Sequence, residues 1–294
     1  METFTSICNK GLNMEITAVT TFHYAGMLEY GQRFLDSWAE NVDQSIKLVV
    51  YAEDCNPTIN SSNIIVVDAK EALPKLVAFK ERWGNVPKAN GIPPQEIIDV
   101  RPRDWHKKFK WDAVRFANKT YAVFDACEKY NDWVVWVDAD TYVHSPWSKE
   151  DFKRQLPDES WCTFVGRGTG SQTWPECGFY GMNLNDEKCL EFLAEFERMY
   201  EDAENGIFTL SEWHDSYVFG KILNKMRFEK PTVFDYSAGI YVKTAKTGGG
   251  GHPLINTELG RWIDHMKGGR KQKRKSSIQK DLMNKRQEAY WNEI

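Results

Sequence analysis

"WVVWVDADTY", residues 133–142, is a run of apolar, β-prone residues that stops at two carboxylates, Asp138 and Asp140. Valine and tryptophan uninterrupted by charge read as a central strand of a parallel sheet, buried on both faces. In open α/β sheets, ligands bind in the crevice beyond the carboxyl ends of the strands. Two aspartates one residue apart in extended chain project to the same side of the backbone. Like charges so placed repel, and removing one is expected to relieve the metal-free protein. Oxygen ligands on a short spacing suit a hard divalent cation, which usually completes its shell with phosphate oxygens. The expectation is a metal and diphosphate site at the end of this strand. The competing reading is a solvated loop leading into a helix N-terminus at "SPWSKED", 145–151.

Working outward, "MEITAVTTF" (14–22), "IKLVVYAED" (46–54) and "NIIVVDA" (63–69) read as three earlier strands. "YGQRFLDSWAENV" (30–42) carries Phe34, Trp38 and Val42 on one helical stripe, which makes an opening β-α unit. The Pro- and Gly-punctuated stretch 82–104 has no periodicity and is expected to be a long loop. Residues 109–130 read as a helix delivering the chain to the DxD strand. Beyond it, 161–166 is a predicted strand, "RGTGSQTWPECG" (167–178) a Gly-rich loop, and "GFYGMNLND" (178–186) a short strand. Helices are expected over 187–203 and within 209–223, the second with Ser211 as N-cap. This order predicts an α/β fold, a mixed and mainly parallel sheet flanked by helices.

A chain of 294 residues, 41% of them apolar and 14% aromatic, can bury a sizeable core as one domain. No apolar stretch approaches the 18 or so residues of a membrane span, and "METFTSICNKGLN" (1–13) has neither a basic nor an apolar leader region, so a cytoplasmic protein is expected. The six cysteines include no CxxC pair and are expected to be free thiols. A net charge of −4 argues against general nucleic-acid binding. Basic residues nevertheless crowd between Lys267 and Arg286, with Asp281 the single acid. Residues 272–294 are expected to form a basic C-terminal extension. Its "EAYWNEI" end either anchors peripherally on an anionic membrane or a partner, or remains solvated.

The second informative stretch is "WIDHMKGGRK", 262–271, an HxxGxxK spacing of His265, Gly268 and Lys271. It supplies an imidazole for a metal, a glycine that lets backbone approach phosphate, and a lysine to neutralise diphosphate. With the DxD strand and the β-α-β opening, the sequence resembles the GT-A fold glycosyltransferases over residues 14–271, the nearest pattern being that of glycogenin-like retaining enzymes. The resemblance implies a Rossmann-like GT-A domain. It also implies manganese or magnesium held by Asp138, Asp140 and His265, with Ala139, Gly268 and Lys271 at the diphosphate of a nucleotide-sugar. Glu176 and Asp215 fall where carboxylates approach the sugar or acceptor hydroxyl. Thr20, Thr21, Tyr24 and Glu53 fall where base and ribose would lie, and Lys110 and Arg115 within reach of phosphate or sugar. The implied activity is hexosyl or pentosyl transfer from a nucleoside-diphosphate-sugar to a carbohydrate or other hydroxyl-bearing acceptor. His252, after four glycines, is a reserve ligand or part of a lid.

Three rivals remain at this stage. A phosphatase of the haloacid dehalogenase type needs DxDxT, whereas here the threonine arrives one position early and three strands precede the motif. A nucleotidyltransferase shares the metal-diphosphate chemistry, but "TAVTTFHYAGM" (17–27) lacks an early Gly-rich phosphate loop. A non-enzymatic binding module would use the basic tail, yet leaves the DxD unexplained.

Overall fold

The computed structural model describes residues 14–93, 95–100, 108–167, 174–229, 232–240, 252–273 and 275–294. Nine strands lie among them: β1 (Ile16–His23), β2 (Lys47–Glu53), β3 (Ile64–Asp68), β4 (Trp133–Val137), β5 (Thr141–Val143), β6 (Cys162–Val165), β7 (Glu176–Asn183), β8 (Val233–Asp235) and β9 (Ile263–His265). Seven form one sheet in the order β3-β2-β1-β4-β7-β6-β8. β7 is antiparallel to both its neighbours, and the other pairs are parallel. Six strands therefore point one way, so the carboxyl ends of β1, β2 and β4 and the start of β7 meet at one edge. The fold is mixed α/β with helices on both faces, as expected.

Alternation along the strands explains the two cores. Val19, Val49, Tyr51, Val134 and Trp136 face one layer, built from α2 (Pro74–Trp83), α4 (Ala113–Lys129), α6 (Glu187–Glu201) and α7 (Asp215–Glu229). Ile16, Ala18, Leu48, Val50, Trp133 and Val135 face the other, where α1 (Gln32–Asn41) packs Phe34, Leu35 and Trp38 beside Trp147, Phe152 and Trp262. The helix predicted after the DxD turn is α5 (Lys149–Arg154), and Ser148 caps it by accepting from Asp151 N. The stretch 82–104 contains α3 (Gln95–Val100), so it is not wholly loop, and residues 101–104 lie outside those described. Residues 168–173 of the Gly-rich stretch and the glycines before His252 also lie outside them. Ser211 is not the cap of α7, which starts at Asp215; its hydroxyl pairs with Tyr217 Oη at 2.6 Å. Cys55, Cys127, Cys162, Cys177 and Cys189 carry free thiols.

The segment after residue 272 packs back onto the domain. Trp291 is buried and donates through Nε1 to Gly260 O at 2.6 Å, and Arg286 donates to the carbonyls of Ile255 and Thr257, each at 3.0 Å. The aromatic end predicted as an external anchor thus completes a core, and its helix is a single turn, Ala289–Asn292. Its tryptophan is inside, where burying a large apolar surface outweighs the charge around it. Among the described residues, no helix is long and apolar enough to cross a membrane.

Candidate active site

β4 ends at Val137, and the chain turns through Ala139 and Asp140, closed by Thr141 N donating to Asp138 O at 3.1 Å. The two carboxylates therefore converge through a turn, not through the pleat of an extended strand. Asp138 keeps the register of Trp136, whose indole Nε1 donates to its Oδ1 at 2.7 Å. Asp140 is carried past the strand to meet β9, where Met266 N donates to Asp140 O at 2.8 Å. β5 and β9 pair antiparallel, with Thr141 opposite His265. His265 Nε2 consequently stands 3.1 Å from Asp140 Oδ1 and 3.5 Å from Asp138 Oδ2. Ligand atoms of these three residues all lie within 4.8 Å of one another. Two carboxylate oxygens and one imidazole could hold a divalent metal ion, and His265 Nδ1, buried and without a hydrogen-bond partner among the described residues, leaves Nε2 to face the group.

Repulsion between the aspartates, expected from sequence, is offset in the folded chain. Lys271 Nζ lies 3.1 Å from Asp140 Oδ2, and Lys119 Nζ lies 3.1 Å from Asp138 Oδ1. Burial alone would raise the Asp140 carboxyl, but His265 and Lys271 hold it well below its ordinary value. Burial likewise opposes a charged His265, yet Asp140 and Asp138 carry its pKa above the ordinary 6.5. The metal-free group is thus a compensated cluster in which the two carboxylates favour the protonated form of His265.

Lys119 escaped the sequence reading. It sits on the inner side of α4 with Ala117, Thr120 and Tyr121, and α4 packs on the face that bears Trp136. Its ammonium reaches Asp138, Asp215 at 2.9 Å and the carbonyl of Cys177, and it lies 4.8 Å over the Trp136 ring. Burial pulls its pKa down, the two aspartates outweigh burial, and it stays a cation. A lysine on an apolar helix stripe, just before a strand that ends in acids, was the available signal.

These groups line a cavity of about 450 Å³ at the edge where β1, β2 and β4 end. Of the residues singled out from sequence, Asp138, Ala139, Asp140, Glu176, Asp215, Thr21, Glu53, Arg115 and Lys271 lie on its wall. His265 stands behind the carboxylates. Glu176 belongs to β7, not a loop, and is buried; it pairs with Lys267 and approaches His265 Nδ1 at 3.6 Å. Thr20, Tyr24, Lys110 and Gly268 are not on the wall. Thr20 alternates into the interior beside Thr21, Tyr24 is exposed, and Lys110 is buried against Glu212 at 3.1 Å. Gly268 makes a turn with φ +62° and ψ −140°, a backbone open in practice to glycine, which swings Lys271 back toward Asp140. His252 is buried outside the three-residue group, and burial, followed by His265, lowers its pKa to about 4. Tyr30, unforeseen, lines the cavity from a π-helical turn, Met27–Gly31, and Lys271 Nζ lies 5.5 Å from its ring centre. Burial, then Asp140 and Asp138, push its hydroxyl up to about 12.

Gly178 on β7 yields a direct test. A Cβ there would stand 2.7 Å from His265 Cε1 and 2.9 Å from Nδ1. Gly178→Ala is expected to push the imidazole out of line and weaken manganese binding by about 10-fold, the lower end for disturbing a ligand's support, while the protein still folds. Calorimetric titration with MnCl₂ checks it, and unchanged affinity would show that His265 is not a ligand.

No protein-family model matches the sequence, and no curated protein does. Solved structures similar to the chain include mouse xyloside xylosyltransferase 1 in its apo form, at 10% identity and a TM-score of 0.42, covering 75% of this chain and 84% of that one. Another is the glycosyltransferase GlyE of Streptococcus pneumoniae TIGR4, at 12% identity and a TM-score of 0.39, covering 76% of this chain and 45% of that one. These structural neighbours are glycosyltransferases.

Proposed function

We propose that this protein is a metal-dependent glycosyltransferase that moves a sugar from a nucleoside-diphosphate-sugar to an acceptor hydroxyl. The carrying observation is the convergence of Asp138, Asp140 and His265, with Lys271 beside them: the two aspartates and the lysine lie on the wall of one cavity that also presents Asp215 and Glu176, and His265 backs them. Cations and carboxylates alternate around that cavity, Lys271 beside Asp140 and Lys119 between Asp138 and Asp215.

Asp138, Asp140 and His265 would hold manganese or magnesium. When bound, such an ion supplies Lewis-acid stabilisation of the diphosphate leaving group. Lys271 faces the same charge from the chain itself, and Arg115 adds a second cation on the wall. In the transfer, the bond from the anomeric carbon to the phosphate oxygen breaks and its electron pair leaves with the diphosphate. The acceptor oxygen forms the new bond and gives up its proton to the departing diphosphate. Asp215, held by Lys119, would orient sugar hydroxyls or the acceptor, and Glu176 lies on the same wall. Thr21, whose hydroxyl donates to Tyr51 O at 2.6 Å, and Glu53, paired with Lys80 at 2.5 Å, line the part left for base and ribose. In its finer form the transfer is of a hexosyl or pentosyl group, in the cytoplasm, to a carbohydrate or other hydroxyl-bearing acceptor.

A thermal-shift screen of UDP, GDP, ADP and their sugars, with and without manganese, is expected to give a manganese-dependent rise with one base. No such rise with any of them sinks the proposal. His265→Ala is expected to raise the manganese needed for half-maximal transfer by about 10-fold or more, the scale of over a kilocalorie per mole of lost ligation. His252→Ala should leave that requirement unchanged; the opposite pattern would move the ligand role to His252.

A further inference from the structure

Asp264 immediately precedes His265 on β9 and is wholly enclosed, at 0% exposure. Successive strand residues face opposite sides, so its carboxylate points away from the cavity. An enclosed carboxylate is tolerated only where donors replace water. Asp264 accepts from Ser277 N at 2.8 Å, Ser277 Oγ at 2.5 Å and Tyr290 Oη at 2.6 Å. All three donors belong to the C-terminal segment, which no step proposed above uses.

The same segment grips the opposite strand. The Tyr290 ring lies parallel on His144, with centroids 4.1 Å apart and planes 3° apart, and packs against Tyr142 at 5.9 Å. Tyr142 is the residue paired with Asp264 across β5 and β9. A third tie is Arg270, which forms a two-pronged ion pair with Asp281, whose carboxylate also accepts from Ile278 N at 2.9 Å. Arg270 lies directly before Lys271. Strands of three residues each do not hold together unaided. Yet this small sheet begins one residue after Asp140 and ends at His265, so its geometry is the geometry of the three-residue group.

We infer that the C-terminal segment Ser277–Tyr290 is a positioning strap for that group. By tying Asp264 and stacking on His144, it sets the spacing of β5 and β9, and hence where His265 Nε2 stands relative to Asp138 and Asp140. Apolar packing alone would cover the sheet, but hydrogen bonds to a buried charge are directional and fix its position. The inference rests on the metal reading of the group made above.

The test uses the full-length chain and manganese alone. Tyr290→Phe keeps the stacked ring and removes one donor to Asp264. Ser277→Ala removes another, and Ser277→Thr restores a hydroxyl. Gln279→Ala, which cuts the bond from Gln279 Nε2 to Trp291 O at 2.7 Å, controls for loosened C-terminal packing that spares Asp264. Manganese affinity is read by paramagnetic resonance of the free ion, and amide hydrogen exchange is followed at residues 141–143 and 263–265. Tyr290→Phe and Ser277→Ala are expected to weaken manganese by about 10-fold, as loss of outer support does. Ser277→Thr should recover most of it, and Gln279→Ala should bind as the unaltered protein does. A Tyr290→Phe protein with unchanged affinity overturns the strap, as does a Gln279→Ala protein equally weakened. If the unaltered chain binds no manganese, the metal reading itself fails, and exchange decides the strap. Faster exchange in both short strands of Tyr290→Phe, with β1 to β4 unchanged, supports it; protection equal to the unaltered protein overturns it.

Discussion

Asp140→Asn is expected to lower manganese-dependent donor turnover by about 100-fold or more, because loss of a ligating carboxylate must cost at least what disturbing outer-shell groups costs. The metal-free variant should also be less stable at pH 7, contrary to simple relief of repulsion. Asp140 is held by Lys271 and His265, and an amide leaves the Lys271 ammonium and the imidazole with one negative partner fewer. The signs follow from the direction of each shift. The Asp140 pKa, lowered from 3.8, contributes stability that is present above that value and is lost as pH falls through the lower folded value. The His265 pKa, raised from 6.5, contributes stability fully present below 6.5 and lost as pH rises through the higher folded value. Metal-free stability should therefore decline on the alkaline side of 6.5, and this decline should flatten in Asp140→Asn. On the proposed ligation, manganese binding is expected to have the opposite slope and to weaken as pH falls, since the ion would compete with the proton on His265. Urea titrations without metal between pH 5 and about 9 check both. A variant as stable as the unaltered protein across that range would show that the ion pairs do no net work.

Lys119→Met should bring the largest loss of stability. One ammonium serves Asp138 and Asp215, and the side chain of Asp215 is only 5% exposed. Methionine fills a similar volume over Trp136 but leaves both carboxylates without that cation, and breaking a buried pair by removing one partner costs about 3–5 kcal/mol. Denaturant titration reads the loss directly. Excess manganese should return part of it, because an ion on Asp138 and Asp140 replaces one of the missing contacts, while Asp215 stays uncompensated. Lys119→Arg should lie between the two, keeping the charge but not the fit. A methionine variant of unchanged stability would mean that the pair is neutral overall, and Lys119 would then have no positioning role for Asp215.

How far the site was legible in sequence varies with the kind of signal. The DxD strand was legible because burial on both faces demands an uninterrupted apolar run, so charges at its end are conspicuous. His265 and Lys271 were legible because HxxGxxK is a local spacing. Lys267 and Tyr30 were not, since nothing local distinguishes them from surface groups, and Lys119, although it stands on an apolar helix stripe, carried no local sign of its partners. Lys119 reaches Asp138 only because α4 packs across the face that bears Trp136. Tyr30 enters the cavity, while Tyr24 stays outside, because the chain after β1 passes through a π-helical turn that residue type does not encode.

Local order and periodicity, then, determined by themselves the α/β class, six of the strands with the helices beside them, and the carboxylates at the end of β4. Those follow from short-range rules of side-chain alternation and burial that any segment obeys alone. Only the tertiary structure decided that Asp140 meets His265 through paired β5 and β9, that Lys119 bridges Asp138 to Asp215, and that the basic C-terminal segment turns inward. Each is a contact between residues far apart in the chain, fixed by where apolar surfaces find their partners and by the need of every buried charge for a counterpart.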